Sequence, residues 1–174
     1  MHDGSETMTR GRLATILIVL GAVMFVLGLT VSAAFAPEWR RLHVLQALIY
    51  VAIVVLAWRN SAWGFGVGLF VAGFWNWLST FATTATHDGI AELMSVVKTG
   101  SVHRPDLLLS LFAFTGHILI MLGCAIGFAR LRPGRRAWVQ LIAGGAASLV
   151  YLFAIVFAFG PPAAIQLMHS VFGR

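Results

Sequence analysis

Long apolar runs separated by short polar stretches dominate the chain. A helix that spans a bilayer needs about 20 predominantly apolar residues, and five runs reach or approach that length. The second run is short, so its helix is expected to begin within Glu38–Arg41. The pattern predicts an all-α membrane protein, a single integral membrane domain over residues 1–174. Its five transmembrane helices are expected at about 13–35, 40–58, 62–82, 106–129 and 137–159.

Two shorter segments have apolar residues on one helical face and polar residues on the other. The first, at about 89–99, places Ile90 and Val97 opposite Glu92, with Asp88 as a candidate cap and Gly100 as a stop. The second, at about 162–172, follows a pair of prolines that can start a helix. Both are predicted to be short interfacial amphipathic helices that lie on the outer membrane surface.

Composition excludes several classes of protein. The chain is 59% hydrophobic and 10% charged, whereas about a quarter of the residues in a soluble domain are charged. This balance excludes a typical soluble enzyme, a disordered protein and a secreted disulfide scaffold. The single cysteine, Cys124, also excludes an intrachain disulfide and a cysteine-based zinc or iron–sulfur site.

The basic residues predict the orientation. The loop from Arg130 to Arg136 carries four arginines and no acidic residue, which is typical of a cytoplasmic loop. The N-terminus is then cytoplasmic and the C-terminus outside, in the cell inner (plasma) membrane. Trp39 marks the outer interface as part of an aromatic belt. The cations flank apolar runs, so the expected partner is the lipid bilayer with its anionic headgroups, and nucleic acid is not expected.

Glycine pairs four residues apart predict close helix contacts. Gly64 and Gly68 lie in the third span, and Gly123 and Gly127 in the fourth. Small residues at this spacing let helices in lipid approach closely. Packing within one bundle is the favoured interpretation, and contact with another subunit is the alternative.

Polar residues within three predicted spans recur mainly at steps of three and four, which keep side chains on one helix face. With the orientation above, these stripes lie in the outer half of the bilayer, and Tyr151 of the fifth span lies at a compatible depth. They predict one pocket that opens to the outer side, with His117 at its floor. The stripes are His43, Gln46 and Tyr50 in the second span, Asn76, Thr80, Thr83 and His87 in the third, and His103, Asp106, Ser110 and His117 in the fourth.

Each polar residue also has a purely structural interpretation. Thr80 and Ser110 can donate to a carbonyl oxygen of the preceding turn. Tyr50 and Tyr151 suit interfacial anchors, and Asn76 suits an interhelical hydrogen bond. The concentration of these weak signals on one side of the membrane favours a shared pocket.

A quinone or a lipid is the simplest occupant, because both suit an amphipathic slot with aromatic walls and a few hydrogen-bonding groups. A haem or chlorin-type pigment is less favoured. His43 and His117 are the best pair of axial ligands, yet the helical rise separates their depths by roughly 15 Å, which leaves ligation by one histidine. The predicted cofactor-binding residues are His117, Asn76, Tyr50, His43, Ser110, Thr80, Trp75, Trp77 and Tyr151.

A metal site is a weaker hypothesis. Nitrogen and oxygen ligands cluster between the third and fourth spans, at His87, His103, Asp106 and Glu92. They form no compact motif such as His-Glu-x-x-His, so a solvated loop with ordinary charges is the favoured interpretation.

The functional prediction is a non-catalytic subunit or accessory of a larger membrane complex, of an energy-converting or redox type. Its outer-facing pocket would hold a quinone, a lipid or a pigment-type cofactor, and its partners would be other membrane subunits. The alternatives are an electron-transfer subunit that ligates haem or metal through histidines, and a small solute carrier. Catalysis by this chain alone is not expected, since the sequence has no nucleophile elbow, phosphate-binding loop or zincin motif.

Overall fold

A computed structural model describes residues 3–162, 165, 166 and 169, and these residues form helices without any strand. Five helices are long and apolar enough to cross a membrane, which confirms the predicted all-α class and the five apolar helices. The elements are α1 (Asp3–Phe35), a 3₁₀ turn (Pro37–Trp39), α2 (Arg40–Trp58), α3 (Ala62–Trp77), a π-helical turn (Leu78–Ala82), α4 (Ala85–Thr99), α5 (Pro105–Arg130) and α6 (Arg135–Phe159).

The short amphipathic helix α4 begins earlier than the sequence indicates. It starts at Ala85, and Asp88 lies within its first turn, where its carboxylate accepts a 2.7 Å hydrogen bond from the Thr84 hydroxyl. The helix ends at Gly100, whose φ of 70° is the left-handed conformation that favours glycine, as predicted. The second predicted amphipathic segment, 162–172, lies largely outside the described residues.

Short connections join the long helices except between α3 and α5, where α4 lies in the connecting segment. The α2–α3 connection is Arg59–Ser61, in which Asn60 has a φ of 52° and the Ser61 N–H donates to the Leu56 carbonyl. These features end α2 in a Schellman-type turn. The Leu131–Gly134 connection between α5 and α6 lies at the same end of the bundle, here named the arginine end. The opposite end, with the 3₁₀ turn and the 100–104 connection, is named the distal end.

Helix α5 packs against α1, α3 and α4, while α3 packs against α6 and α2 completes the bundle. The glycines of the predicted small-residue pairs lie against other residues of this chain. A side chain at any of these glycines would collide with those residues. A Cβ built on Gly123 would lie 2.7 Å from the Ala14 carbonyl oxygen of α1, and one on Gly127 would lie 2.5 Å from the Phe65 ring of α3. These glycines therefore serve packing within the bundle.

Candidate functional site

A cavity of about 640 Å³ opens at the distal end between α1, α2 and α5, with one residue of α3 in its wall. This volume lies within the range of about 300–1,000 Å³ that is usual for small-molecule sites. The walls are mainly apolar, and a few polar side chains are set among them. The aromatic residues are Phe25, Phe35, Trp39 and Trp75, and the polar ones are Ser32, His43, Gln46, Asp106 and Ser110.

Helical spacing explains how three helices form this wall. The α2 side presents Trp39, His43 and Gln46 at steps of four and three. The 3₁₀ turn runs directly into α2, so Trp39 shares a face with the two polar residues that follow. The corresponding residues of α1 are Phe25, Gly28, Leu29, Val31, Ser32 and Phe35, and those of α5 are Pro105, Asp106, Leu109, Ser110 and Ala113.

Two residues of the cavity wall have buried nitrogen atoms without a hydrogen-bond partner. They are Nδ1 of His43, a residue only 9% exposed, and Nε1 of Trp75. The other nitrogen of the His43 ring donates a hydrogen bond to the Leu29 backbone carbonyl. The ring also stacks on Trp39 at a centroid distance of 5.9 Å. A buried polar atom without a partner costs about 1–3 kcal/mol. Both residues line the cavity, so a polar ligand group that reached these atoms after a rotation of the rings would supply the missing partners.

The floor of the cavity is the ring of Phe25. Its centroid lies 4.3 Å from that of Tyr50 and 4.2 Å from that of His117. Beneath it, the Tyr50 hydroxyl and His117 Nε2 form a 2.6 Å hydrogen bond between α2 and α5, in which the imidazole tautomer decides the donor. Both side chains are almost completely buried. His117 thus lies below the floor rather than in the cavity wall.

Several other predicted site residues lie away from the cavity wall. The Asn76 amide nitrogen is 3.9 Å from the Met121 sulfur, and the Tyr151 hydroxyl donates to the Leu45 carbonyl at 3.2 Å. The Thr80 hydroxyl is 3.4 Å from that of Thr86. Trp77, which is 43% exposed, stacks on the ring of Phe74. Of the predicted cofactor-binding residues, the cavity is lined by His43, Ser110 and Trp75.

The carboxylates proposed as metal ligands have other partners. Glu92 Oε1 accepts the backbone N–H groups of His103 at 2.7 Å and Arg104 at 2.9 Å. Asp106 accepts two hydrogen bonds from the Arg104 guanidinium, at 3.0 and 2.7 Å. No group of three histidine, cysteine, aspartate or glutamate side chains that could bind a metal ion occurs in the described part of the chain.

These contacts shift the pKa values of Glu92 and Arg104, which lie outside the long helices. The backbone N–H groups of Arg104 and His103 lower the pKa of Glu92, because they stabilise its carboxylate form. The Asp106 carboxylate raises the pKa of Arg104 through its hydrogen bonds and its charge. Glu92 therefore anchors the start of α5 to α4 as a carboxylate.

The sequence does not indicate the aromatic and aliphatic side chains that α1 and the 3₁₀ turn contribute to the wall. Phe25 and Leu29 belong to α1, which is not among the spans with a polar stripe, and the sequence pattern favours Trp39 as an interfacial anchor. Continuing the three-and-four spacing backward from His43 reaches Trp39 across the proline turn. That signal was available in the sequence, whereas the contribution of α1 required knowledge of how it packs.

Comparison with protein-family models, curated proteins and solved structures finds no match to this chain. The functional assignment of the site therefore depends on its geometry and chemistry.

Proposed function

We propose that this chain is a multi-pass protein of the cell inner (plasma) membrane, with its arginine end in the cytoplasm and its distal end outside. Large apolar side chains on the outside of the bundle support this placement: Leu20, Leu48, Leu122 and Val150 are 47%, 54%, 51% and 69% exposed. Such exposure along several helices suits lipid as the solvent. The arginine-rich connection supports the orientation.

The distal cavity binds a quinone-type ligand in this proposal. The single observation that carries it is the pair of unpartnered nitrogens, His43 Nδ1 and Trp75 Nε1, beside a space enclosed mainly by aromatic and aliphatic walls. The indole N–H can donate to a quinone carbonyl. His43 Nδ1 can accept from a quinol hydroxyl, because the other ring nitrogen of a neutral His43 donates to the Leu29 carbonyl. A planar ring suits the aromatic walls formed by Phe25, Phe35 and Trp39.

The other predicted occupants fit this cavity less well. A haem with His43 and His117 as axial ligands would need His117 Nε2 to bind the iron. That nitrogen is hydrogen-bonded to the Tyr50 hydroxyl beneath Phe25. An anionic lipid headgroup would meet the Asp106 carboxylate in the wall. A quinone carries no charge and avoids both conflicts.

The proposed role is that of a non-catalytic subunit or accessory of a larger redox or energy-converting membrane complex. Short connections such as Arg59–Ser61 and Leu131–Gly134 support this role, because apart from α4 the segments between the long helices add little structure to the bundle. Purification from the native membrane in mild detergent tests it. Co-migration with chains of other sequence is expected, whereas a lone chain that transports solute in liposomes would contradict it.

Quenching of tryptophan fluorescence by a short-chain benzoquinone tests the cavity, because Trp39 and Trp75 lie in its wall. Ala113→Phe places a ring in the cavity and should weaken quinone binding at least ten-fold. Ala125→Phe is the matched control, since Ala125 is an exposed residue of the same helix outside the cavity wall. Trp75→Phe keeps a ring but removes the donor, and should weaken binding about ten-fold, the value of one good hydrogen bond. Affinity for the quinone equal to wild type in the folded Ala113→Phe variant would refute the proposal.

A further inference from the structure

A second concavity lies on the outside of the bundle, between α1 and α2. It has a volume of about 360 Å³ and is distinct from the cavity, although the His43 ring and Leu29 border both. Its apolar lining includes small side chains that leave a groove between the two helices. The lining residues are Val26, Leu29, Thr30, Ala33, Ala34, Arg40, His43, Val44 and Ala47.

The groove has a polar end and an apolar end. Arg40 is at the distal end, where α2 begins, and Ala47 lies seven residues further toward the middle of the bundle. At the rise of an α-helix this is about 10 Å, parallel to the helix axis. Thr30 does not interrupt the apolar part, because its hydroxyl donates to the Val26 carbonyl at 2.8 Å. A phospholipid has the same order of groups, with its charge at the interface and its chain along the membrane normal.

The Arg40 guanidinium is free to bind the negative charge of a phosphate. It is exposed, and no carboxylate in the described part of the chain pairs with it. Arg40 begins α2, where the helix dipole adds partial positive charge and favours an anion. His43, which is nine-tenths buried, lies one turn further along the same wall.

The geometry points to a site for an anionic phospholipid in this groove, with the phosphate at Arg40 and one acyl chain against Val26 and Ala47. The site requires the membrane placement proposed above but not the quinone. It differs from general attraction to the membrane surface, because it binds one lipid molecule in a defined place. Its lipid should therefore survive extraction of the protein into detergent.

Native mass spectrometry of the purified full chain, incubated with equal amounts of phosphatidylglycerol and phosphatidylcholine of matched acyl chains, tests this site. Wild type should retain one phosphatidylglycerol in preference to phosphatidylcholine. Arg40→Gln should reduce that retention about five-fold, the value of one cation at an anionic membrane surface. Arg41→Gln is the matched control, since Arg41 is also exposed and lies outside the groove. Arg40→Lys should keep most of the preference.

The acyl-chain half of the site has its own pair of variants. Ala47→Leu should displace the chain, while Ala52→Leu, at an exposed position of α2 outside the groove, should not. Equal retention of the two lipids by wild type would overturn the site. Equal losses for Arg40→Gln and Arg41→Gln would also overturn it, as would full retention in folded Ala47→Leu. Quinone quenching should be unchanged in Arg40→Gln, so the failure of one proposal is distinguishable from the failure of the other.

Discussion

Helices α1 and α5 touch closely over one part of their length and separate over another. Toward the arginine end their backbones nearly meet: a Cβ on Gly21 would overlap the Gly116 carbonyl oxygen, and one on Gly123 would lie 2.7 Å from the Ala14 carbonyl oxygen. Further along, a Cβ on Gly28 would lie an ordinary 3.6 Å from that of Ala113. Beyond this point both helices line the cavity.

The difference between these regions lies mainly in side-chain size. Glycine on both helices permits the close approach, whereas toward the distal end larger side chains such as Phe25 and Leu109 stand on the faces that line the cavity. Backbones in contact leave no space for a ligand, and the cavity lies where side chains stand between the helices. The same pair of helices therefore has a close-packed half and a half that lines the cavity.

The largest effect on stability is expected where a side chain is added at the close contact between α1 and α5. Gly21→Ala should lower the free energy of unfolding by about 1–3 kcal/mol relative to Gly28→Ala, because only the first adds a methyl group against a backbone oxygen. Both substitutions give the same gain in helix propensity, so their difference measures the contact. Unfolding in mixed micelles gives this difference, and equal stabilities would contradict the contrast between the two regions.

The next effect on stability is expected from loss of the hydrogen bond between Tyr50 and His117 beneath the cavity floor. Tyr50→Phe should cost about 1–3 kcal/mol of unfolding free energy, because it leaves His117 Nε2 buried without a partner. His117→Leu should cost a similar amount. The double variant should cost less than the sum of the two, which a double-mutant cycle would measure as coupling. Strict additivity would show that the two side chains do not stabilise each other beneath the cavity floor.

A larger side chain that fills the cavity should not lower the free energy of unfolding, unlike the two changes above. Ala113→Leu places methyl groups in open space, so the unfolding free energy should stay unchanged or rise by about 0.5–2 kcal/mol. Gly116→Leu, three residues further along α5, should destabilise the protein, because a Cβ there would lie 2.8 Å from the Gly21 carbonyl oxygen. Comparable losses in both variants, measured in the same micelles, would mean that the cavity is not open space.

The smallest expected effect concerns the contact of α4 with the start of α5. The pKa of Glu92 is lowered in the folded protein, so its contribution to stability is present above its usual value of 4.5 and is lost as pH falls through the folded value. Exchange of the His103 and Arg104 amide protons, corrected for the intrinsic pH dependence of exchange, should show decreasing protection at low pH. Glu92→Gln should lose that pH dependence. An unchanged pH dependence in Glu92→Gln would assign it to another group.

Much of the fold follows from local features of the chain. The apolar runs predict the five long helices, and the spacing of Ile90 and Val97 predicts α4, whose end at Gly100 follows from the need for a positive φ. The start of α4 differs from the prediction, because Asp88 lies inside the first turn, where its carboxylate accepts a hydrogen bond from the Thr84 hydroxyl. Helical spacing also identified the polar face of α2 that contributes His43 and Gln46 to the cavity wall.

The sequence by itself determined that this chain forms five apolar helices with polar residues concentrated toward one end of the bundle. It did so because length, periodicity and caps are properties of neighbouring residues. Only the tertiary structure decided that Tyr50 forms a hydrogen bond with His117 and that Phe25 lies between this pair and the cavity. It also decided that α1 supplies much of the cavity wall. These outcomes depend on the rotation of each helix and on which large side chains meet across a helix interface. Packing between distant residues determines both, and no local pattern encodes them.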